Sequence, residues 1–424
     1  MERKYTSEIS EGEEVRLMGW AFEIRALSKM AFILLRDASG MVQCVIKDQE
    51  NLGKIAELNL ESVIEVKGKA NKSEIKAEHA RKDIEIEVSE LNVLNKSDPL
   101  PIHVNEKTTS TELNNRIDNR FLDVRKPKVQ AIFKIQSTII NAFREYFYEN
   151  GFTEIQPPGI ISTSTEGGTD LFEIKYFEKN AYLAQSPQLY KQLMAISLEK
   201  VFSTRAVWRA EKHDTGRHIN EIKQMDMEAS FVDDFGAMRY LAEAVQHIAK
   251  KVNEHCQQEI KALGAELKVP DVKYLTYKET IDLLNEHGLE ISEGKDLEPE
   301  AERKINEIYP DTIVFVYEWP LDVRPFYIWP KDDKVSAGFD AIYGGIEISS
   351  GGQRIHKPEI LTERVKSKEL DPKNLQWYID AFKYGAPYHS GWSIGLERMT
   401  QTFLNLDNIR EATLFPRDRK RLSP

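Results

Sequence analysis

The stretch WRAEKHDTGRHINEIKQMDMEASF, Trp208 to Phe231, limits the possible folds more than any other part of the chain. It reads as two extended segments joined by a polar loop. On the return segment Met225, Met227 and Ala229 alternate with Asp226, Glu228 and Ser230 until Phe231 closes the run, the period-two pattern of a strand with one apolar and one polar face. On the first segment Arg209 and Glu211 sit two positions apart and face the same side, placing a cation and a carboxylate in one pocket. The loop carries Lys212, His213, Arg217 and His218, donors suited to polyphosphate oxygens. A guanidinium, an acceptor, a basic loop and a terminal aromatic ring suit a nucleoside triphosphate held beside a carboxylate. A hairpin with a salt-bridged polar face fits the same letters, so the rest of the chain decides.

At 424 residues the chain is too long for one ordinary domain, and two or three units are expected. A net charge of -11 disfavours nucleic acid unless it meets locally basic patches. The stretch Arg116 to Lys128 and the ending FPRDRKRLSP are the candidates. Cys44 and Cys256 are the only cysteines, which excludes a disulfide framework and a thiolate metal site. No apolar run approaches the roughly 18 residues of a membrane span, and the polar start has no signal-peptide core. The expectation is a cytoplasmic protein without a membrane partner.

Short alternating segments at Val15–Trp20, Phe32–Arg36, Val42–Ile46, Ser62–Gly68 and Ile84–Val88 suggest a small closed barrel of the OB type. Such barrels bind single-stranded nucleic acid on the sheet face. Phe32, Gln43 and Glu85 are candidates for that face, one to stack on an unpaired base and two to meet base edges; a core position for Phe32 is the alternative. The prolines Pro99 and Pro101 mark a linker. We expect a barrel domain over 1–104, a hinge over 105–128 and a second domain over 129–424, with a helical insertion at about 232–310.

The second domain should open with a helix from Lys128 to Asn150, with Ile132, Ile135, Ile139, Ala142, Phe143 and Tyr146 on one face and Gly151 as its stop. A strand then ends at Pro157-Pro158, which reads as an edge or interface strand. The loop STSTEGGTDLFEI presents Glu166 beside two glycines. In AYLAQSPQLYKQLM a strand meets a helix on which Gln188 and Lys191 share a face. TIVFVYEWP and RPFYIWP are apolar enough to be central strands. In AGFDAIYGGIEISSGGQRIH, Asp340 and Glu347 can face one another across a turn at Tyr343-Gly344-Gly345, with Ser350 adding a hydroxyl and Arg354 following. Hard oxygen donors of this kind hold magnesium on ATP. Near the end, Gly391, Ser393 and Gly395 leave one strand face almost bare for a flat ligand, and Glu397-Arg398 opens a helix.

Three of these segments coincide with the three motifs of class II aminoacyl-tRNA synthetases. They are the proline-ended strand around Pro158, the RAE hairpin, and GLER at 395–398. TEGGT, AQSPQLYKQ, RHINE, EISSGGQRIH and LFPRDRKRLSP closely resemble the archaeal and eukaryal aspartyl-tRNA synthetases, and the resemblance covers the whole chain. It implies an α+β protein: an N-terminal OB-fold anticodon-binding domain, then a catalytic domain built on an antiparallel sheet flanked by helices. It further implies a homodimer formed through the Pro158 motif. The substrates would be L-aspartate, ATP with Mg2+, and tRNA(Asp).

Carried over residue by residue, the resemblance gives Arg209, Glu347 and Arg398 the catalytic roles. Arg209 would hold the α-phosphate and the amino-acid carboxylate. The nucleotide would lie among Arg209, Ala210, Glu211, Arg217, His218, Ile219, Glu347, Gly395, Leu396, Glu397 and Arg398, its base between Phe231 and Arg398. Asp340, Glu347 and Ser350 would arrange magnesium. Glu166, Gln188 and Asp226 would neutralise the substrate ammonium, and Ser350 completes the aspartate set with Lys191, Arg209 and Arg354. Lys191 and Arg354 remain for a side-chain carboxylate, since Arg209 is already used; two buried cations facing a neutral amide would be costly. A site so built should reject asparagine.

Trp208, Trp392 and Ser393 depart from the usual residues of the second and third motifs and could narrow the adenine pocket. In the barrel, Phe22 and Arg81 fall where relatives set how strictly the last anticodon base is read, and this pair leans toward strict reading. Lax reading would add tRNA(Asn) as a second substrate. A silent RNA-binding paralogue is the competing reading. It would be expected to lack Arg209, Glu347 or Arg398, and all three are present.

Overall fold

The alternating segments of the first 95 residues close on themselves. The computed structural model describes residues 1–105, 111–162, 171–212 and 214–424. In it, β1 (Glu14–Ala26), β2 (Ala31–Arg36), β3 (Met41–Ile46), β4 (Val63–Lys72) and β5 (Ile84–Asn95) form a closed barrel in the order β1-β2-β3-β5-β4. Leu17, Ile33, Leu35, Val42, Cys44, Val66 and Ile86 point inward and are fully buried. The β2–β3 turn is pinned by Asp37, whose carboxylate accepts from the backbone N–H groups of Ser39 and Gly40. A helix absent from the expectation, α1 (Gln49–Ala56), joins β3 to β4. Its signal was a cap rather than a periodicity: Asp48 accepts from the Asn51 N–H at 2.8 Å.

This unit extends from Met1 to Lys126. The proline-rich segment expected as a linker packs on the outside of the barrel, where Ile102, Val104 and Leu122 join Phe22, Leu34 and Met41 in a small core. The basic stretch that begins at Arg116 is not an open patch. Arg116, Arg120 and Lys126 converge at 3.0, 2.7 and 3.0 Å on the fully buried carboxylate of Asp123.

The second unit, Pro127–Pro424, opens with α2 (Pro127–Glu149), which buries Ile132, Ile135, Ile139, Ala142, Phe143 and Tyr146. Beyond it, Gly151 takes a φ of +76° that few other residues would tolerate. An eight-stranded sheet follows. Its strands are β6 (Thr153–Glu154), β7 (Lys200–Trp208), β8 (Glu221–Ser230), β9 (Asp271–Thr276), β10 (Thr312–Tyr317), β11 (Gly338–Tyr343), β12 (Ile346–Gln353) and β13 (His389–Gly395). Their order is β9-β10-β11-β12-β13-β8-β7-β6. The sheet is antiparallel except at its two edges, where β9 runs parallel to β10 and β6 parallel to β7.

Sheet alternation divides the labour. Phe202, Met225, Met227, Ile348, Trp392 and Ile394 pack against α2 and α4 (Asp234–His255) in the main core. The intervening residues face the other way. In register across four strands, Asp226 lies opposite Ser393, Ser393 opposite Ser350, and Ser350 opposite Asp340. The polar row and the apolar core are two faces of the same strands.

Three expected elements differ. The region 232–310 is helical but includes the edge strand β9. RPFYIWP is not a strand: Ile328 makes only an isolated bridge to Arg354, and Phe326, Tyr327 and Ile328 are buried in a separate cluster with Leu189 and Ile355. Its apolar character reflects burial, and Pro325 and Pro330 lack the ladder donors a strand needs. The segment before Pro157 is a strand only at Thr153–Glu154. Among the described residues, no helix is long and apolar enough to cross a membrane.

Candidate functional site

A cavity of about 540 Å³ opens on the polar face of the sheet. Its floor comes from β8, β12 and β13, because their period-two pattern turns Gln224, Asp226, Ser350 and Ser393 away from the core. One wall is α3 (Gln188–Leu198), which begins after Pro187 and points Gln188 and Lys191 inward.

At this end two cations and two carboxylates are packed together out of water. Lys191 Nζ lies 3.2 Å from Asp226 Oδ1, 3.4 Å from Glu228 Oε2 and 3.0 Å from the carbonyl oxygen of Trp392. Arg354 makes a two-pronged contact with Glu228 at 2.8 and 3.2 Å. All four residues are at most 2% exposed. Burial alone would raise the Glu228 pKa, but Arg354 and Lys191 bring it below the usual carboxylate range. For Asp226 burial prevails and the pKa is raised. The room for Glu228 depends on Gly391, where a Cβ would come within 2.1 Å of the Glu228 carboxylate.

The opposite end is reached through the hairpin loop. The strand β7 stops at Trp208, so Arg209 and Glu211 lie just beyond it rather than on it. Asn220 holds both, its Nδ2 donating to the carbonyls of Arg209 at 2.7 Å and Glu211 at 2.9 Å. Asn220 is in turn tied by its N–H to the carbonyl of Arg417 at 2.7 Å. The basic ending clasps this loop: Asp214 pairs with Arg410 at 3.0 Å and Lys420 at 2.6 Å. Read from composition as a polyanion patch, that ending has Lys420 paired with Asp214 and Arg419 donating to the Lys212 carbonyl at 3.3 Å.

Arg209, Glu211, Arg217, His218, Ile219, Gly395 and Arg398 all line the cavity. Arg217 pairs with Glu302 at 3.1 Å, on α5 (Pro299–Ile308), and Arg398 donates to the Glu347 carbonyl at 2.6 Å. Phe231 does not belong here. It is 60% exposed at the far end of β8, packs edge-on against Tyr388, and lies nine residues from Ile222, or about 30 Å along a strand. The side chain beside the bare face of Gly395 is Ile222, which the sequence reading missed. Ala210, Leu396 and Glu397 do not line the cavity either. Leu396 is in the core, and the Glu397 carboxylate accepts from the Lys223 N–H on β8. Trp392 lies on the core face and donates to the Ala237 carbonyl, so it cannot narrow the cavity; Trp208 does not line it, whereas Ser393 does.

Close to Arg398 stands an acidic pole. Asp340 lies opposite Ser350, and after a bulge at Ala341 Glu347 lies opposite Ile342, so the two carboxylates are not a register pair. Asp340 is clamped by Arg324, which also approaches Ser350 Oγ at 3.5 Å. The Glu347 side chain is 39% open to the cavity yet deep among protein atoms. Burial first, then the Asp340 charge, pushes its pKa up to about 7. A hard divalent cation fits these residues: the donors are oxygens, and the two like charges would both be relieved by it. Among the described residues, no three or more His, Cys, Asp or Glu could hold a metal ion together, which leaves coordination positions for ligand oxygens, as is usual for magnesium. Arg324, Asp296 and Glu302 were not foreseen. The first lay in a run read as a strand, and the other two in a region read as chemically silent.

Glu166 lies outside the described residues. Pro158 is exposed, and its carbonyl and that of Pro157 accept from Arg205. In the barrel, Phe32 is half-buried, while Gln43 sits in register with Glu85 and donates to it at 3.2 Å. Phe22 is only 2% exposed, inside the small core, and offers no face to a base. Arg81 is bound to Asp83 and to the Ile9 carbonyl.

Residues 112–419 match the family model of class II tRNA synthetases (D, K and N), and residues 15–94 match that of the OB-fold nucleic acid binding domain. The aspartate–tRNA(Asp/Asn) ligase of Methanopyrus kandleri is 45% identical, covering 99% of each chain. That of Methanocaldococcus jannaschii is 46% identical over 98% of this chain and 95% of its own. Among solved structures, asparaginyl-tRNA synthetase from Pyrococcus horikoshii with asparaginyl-adenylate superposes with a TM-score of 0.94 at 34% identity, covering all of both chains. Aspartyl tRNA synthetase from Entamoeba histolytica gives 0.89 at 29%, covering 100% of this chain and 93% of its own. By the family model over residues 112–419 and the full-length relatives at 45% and 46% identity, the chain belongs to the class II tRNA synthetases of the D, K and N group.

Proposed function

We propose that the protein attaches L-aspartate to tRNA(Asp) and tRNA(Asn) in two steps, as a cytoplasmic homodimer. The observation that carries the choice of amino acid is the convergence of Lys191 and Arg354 in the cavity. Both side chains only donate hydrogen bonds, so a carboxylate matches them and the NH2 of an amide does not. Gln188 and Asp226, on the same wall and floor, suit the substrate ammonium. Arg209 suits the α-carboxylate and the α-phosphate. The adenine would lie over Gly395 between Ile222 and Arg398, and its exocyclic amine would meet Glu211.

In the first step a carboxylate oxygen of aspartate attacks the α-phosphorus of ATP, and pyrophosphate leaves. In the second the 3′-terminal ribose hydroxyl of tRNA attacks the carbonyl of the mixed anhydride, and AMP leaves. No protein nucleophile is needed; the side chains orient the reactants and stabilise charge. Asp340, Glu347 and Ser350 would hold magnesium, which would draw charge from the phosphate oxygens. On the barrel, Phe32, Gln43 and Glu85 share the outer face suited to the anticodon. Acceptance of both tRNAs is supported by the names of the full-length relatives and by the burial of Phe22, one of the two residues on which the expectation of strict reading rested. Pro158, exposed beside the exposed Ile160, suits a dimer face.

Purified tRNA(Asp) and tRNA(Asn) transcripts, charged side by side with labelled aspartate and labelled asparagine, test this. Aspartate on both is the expected result. Aspartate on tRNA(Asp) alone would restrict the RNA choice, and asparagine on either would overturn the reading of Lys191 and Arg354.

A further inference from the structure

Behind the cavity wall lies a hydrogen-bonded chain that the two-step reaction does not use. Gln188 Nε2 donates to Gln192 Oε1 at 2.9 Å, and Tyr378 Oη donates to the same oxygen at 2.9 Å. Gln192 Nε2 lies 2.9 Å from His389 Nε2, and His389 Nδ1 lies 2.9 Å from the carbonyl oxygen of Pro387. Gln192, Tyr378 and His389 are fully buried, and the His389 ring stacks on Phe382 at 5.8 Å.

The direction of every bond follows from one end. A carbonyl can only accept, so His389 Nδ1 carries the hydrogen. Burial pushes the His389 pKa down to about 4, so the ring is neutral and its Nε2 can only accept. Gln192 must therefore turn its NH2 toward His389 and its oxygen toward Gln188 and Tyr378. Gln188 must then donate to Gln192, which leaves its own oxygen as the group turned to the cavity. An amide reversed there would aim N–H groups at a cationic amine. Side-chain amides at cavity walls are otherwise free to turn over, since nitrogen and oxygen occupy nearly the same volume.

We propose that Gln192, His389 and Tyr378 are positioning residues that fix the Gln188 amide with its oxygen toward the α-ammonium of the amino-acid substrate. This rests on the reading of Gln188 as an ammonium acceptor and adds what makes it one. It also predicts that the device serves the ammonium alone and ignores the two carboxylates.

The test uses aspartate-dependent pyrophosphate exchange by the full-length enzyme, with succinate as competitive inhibitor. Succinate keeps both carboxylates and lacks the amine. Gln192→Met should raise the aspartate KM about tenfold, the value of one hydrogen bond to a charged group, and leave the ATP KM and the succinate Ki unchanged. Gln192→Glu, protonated on the oxygen that faces His389 Nε2, can still accept from Gln188 and Tyr378 on the other and should restore the aspartate KM. Tyr378→Phe, a smaller change that keeps the ring, should raise it by about threefold. Gln188→Ala should abolish the further effect of Gln192→Met when the two are combined. A rise in succinate Ki that matches the rise in aspartate KM would mean general damage to the pocket and overturn the proposal. So would an unchanged aspartate KM in Gln192→Met while Gln188→Ala raises it. An unchanged KM in Gln188→Ala would instead overturn the assignment of Gln188 itself.

Discussion

Lys191 and Arg354, at the amino-acid end of the cavity, lie within hydrogen-bonding distance of Asp226 and Glu228, whereas Glu347, at the triphosphate end, meets the Arg398 guanidinium only at 4.0 Å. The first group is a closed set of counterions that keeps its shape without substrate. The second leaves a carboxylate with its pKa near 7. Substitutions at the first end should therefore disturb both folding and binding, and those at the second chiefly binding. The same contrast separates selection of the amino acid, which needs a rigid template, from handling of a triphosphate that brings its own cation.

The largest effect should come from Arg209, which lines the cavity at the hairpin loop. Arg209→Ala should lower pyrophosphate exchange about a thousandfold, the scale for losing one preorganised donor to developing charge, with thermal stability unchanged. Next is Arg354→Ala, which should cut kcat/KM for aspartate about a hundredfold and leave the ATP KM alone. Because it strands Glu228 in the interior, denaturant unfolding should show a loss of about 3–5 kcal/mol. If stability is kept, the counterion set is not what holds this end together. Glu347→Gln should then break the contrast from the other side. Magnesium should raise the melting temperature of the parent protein and not that of the variant, and the metal-free variant should be no less stable than the parent. The smallest effect concerns pH. His389 has a folded pKa of about 4 against 6.5 unfolded, so the unfolded chain binds more protons between these values. Its contribution to stability is complete above the upper value and is lost as pH falls toward the lower. Replacing it in His389→Gln should flatten that acid limb of the melting curve.

The barrel and the main sheet were legible because their strands are one-sided: Met225 and Met227 against Asp226 and Glu228, or Val15 and Leu17 against Glu14 and Arg16, declare a face by alternation. Lys191, Arg209, Arg354 and Arg398 were legible through motif letters. What the letters lacked was distance. Phe231 closes the same motif as Arg209, but nine residues of extended chain separate it from Ile222, the side chain beside Gly395, and Ile222 carries no chemical mark of its position. Arg324 was hidden because FYIWP is apolar enough for a strand, while its prolines break the ladder. Asp296 and Glu302 come from a helical region whose polar residues look solvated until the fold turns them inward. The buried chain through Gln192 and His389 spans 197 positions and had no local signal.

The alternation along β8 also bears on which changes of length the gene can tolerate. Substitutions there alter one face at a time. Insertion or deletion of a single residue between Glu221 and Ser230 would instead exchange the faces beyond that point, sending carboxylates among the phenylalanines and methionines into the pocket. The strand thus behaves like a reading frame, in which a shift of one corrupts every later position and only a compensating shift restores them. The loop from Lys212 to Gly216 carries no such phase, so length variation between Trp208 and Phe231 should collect there.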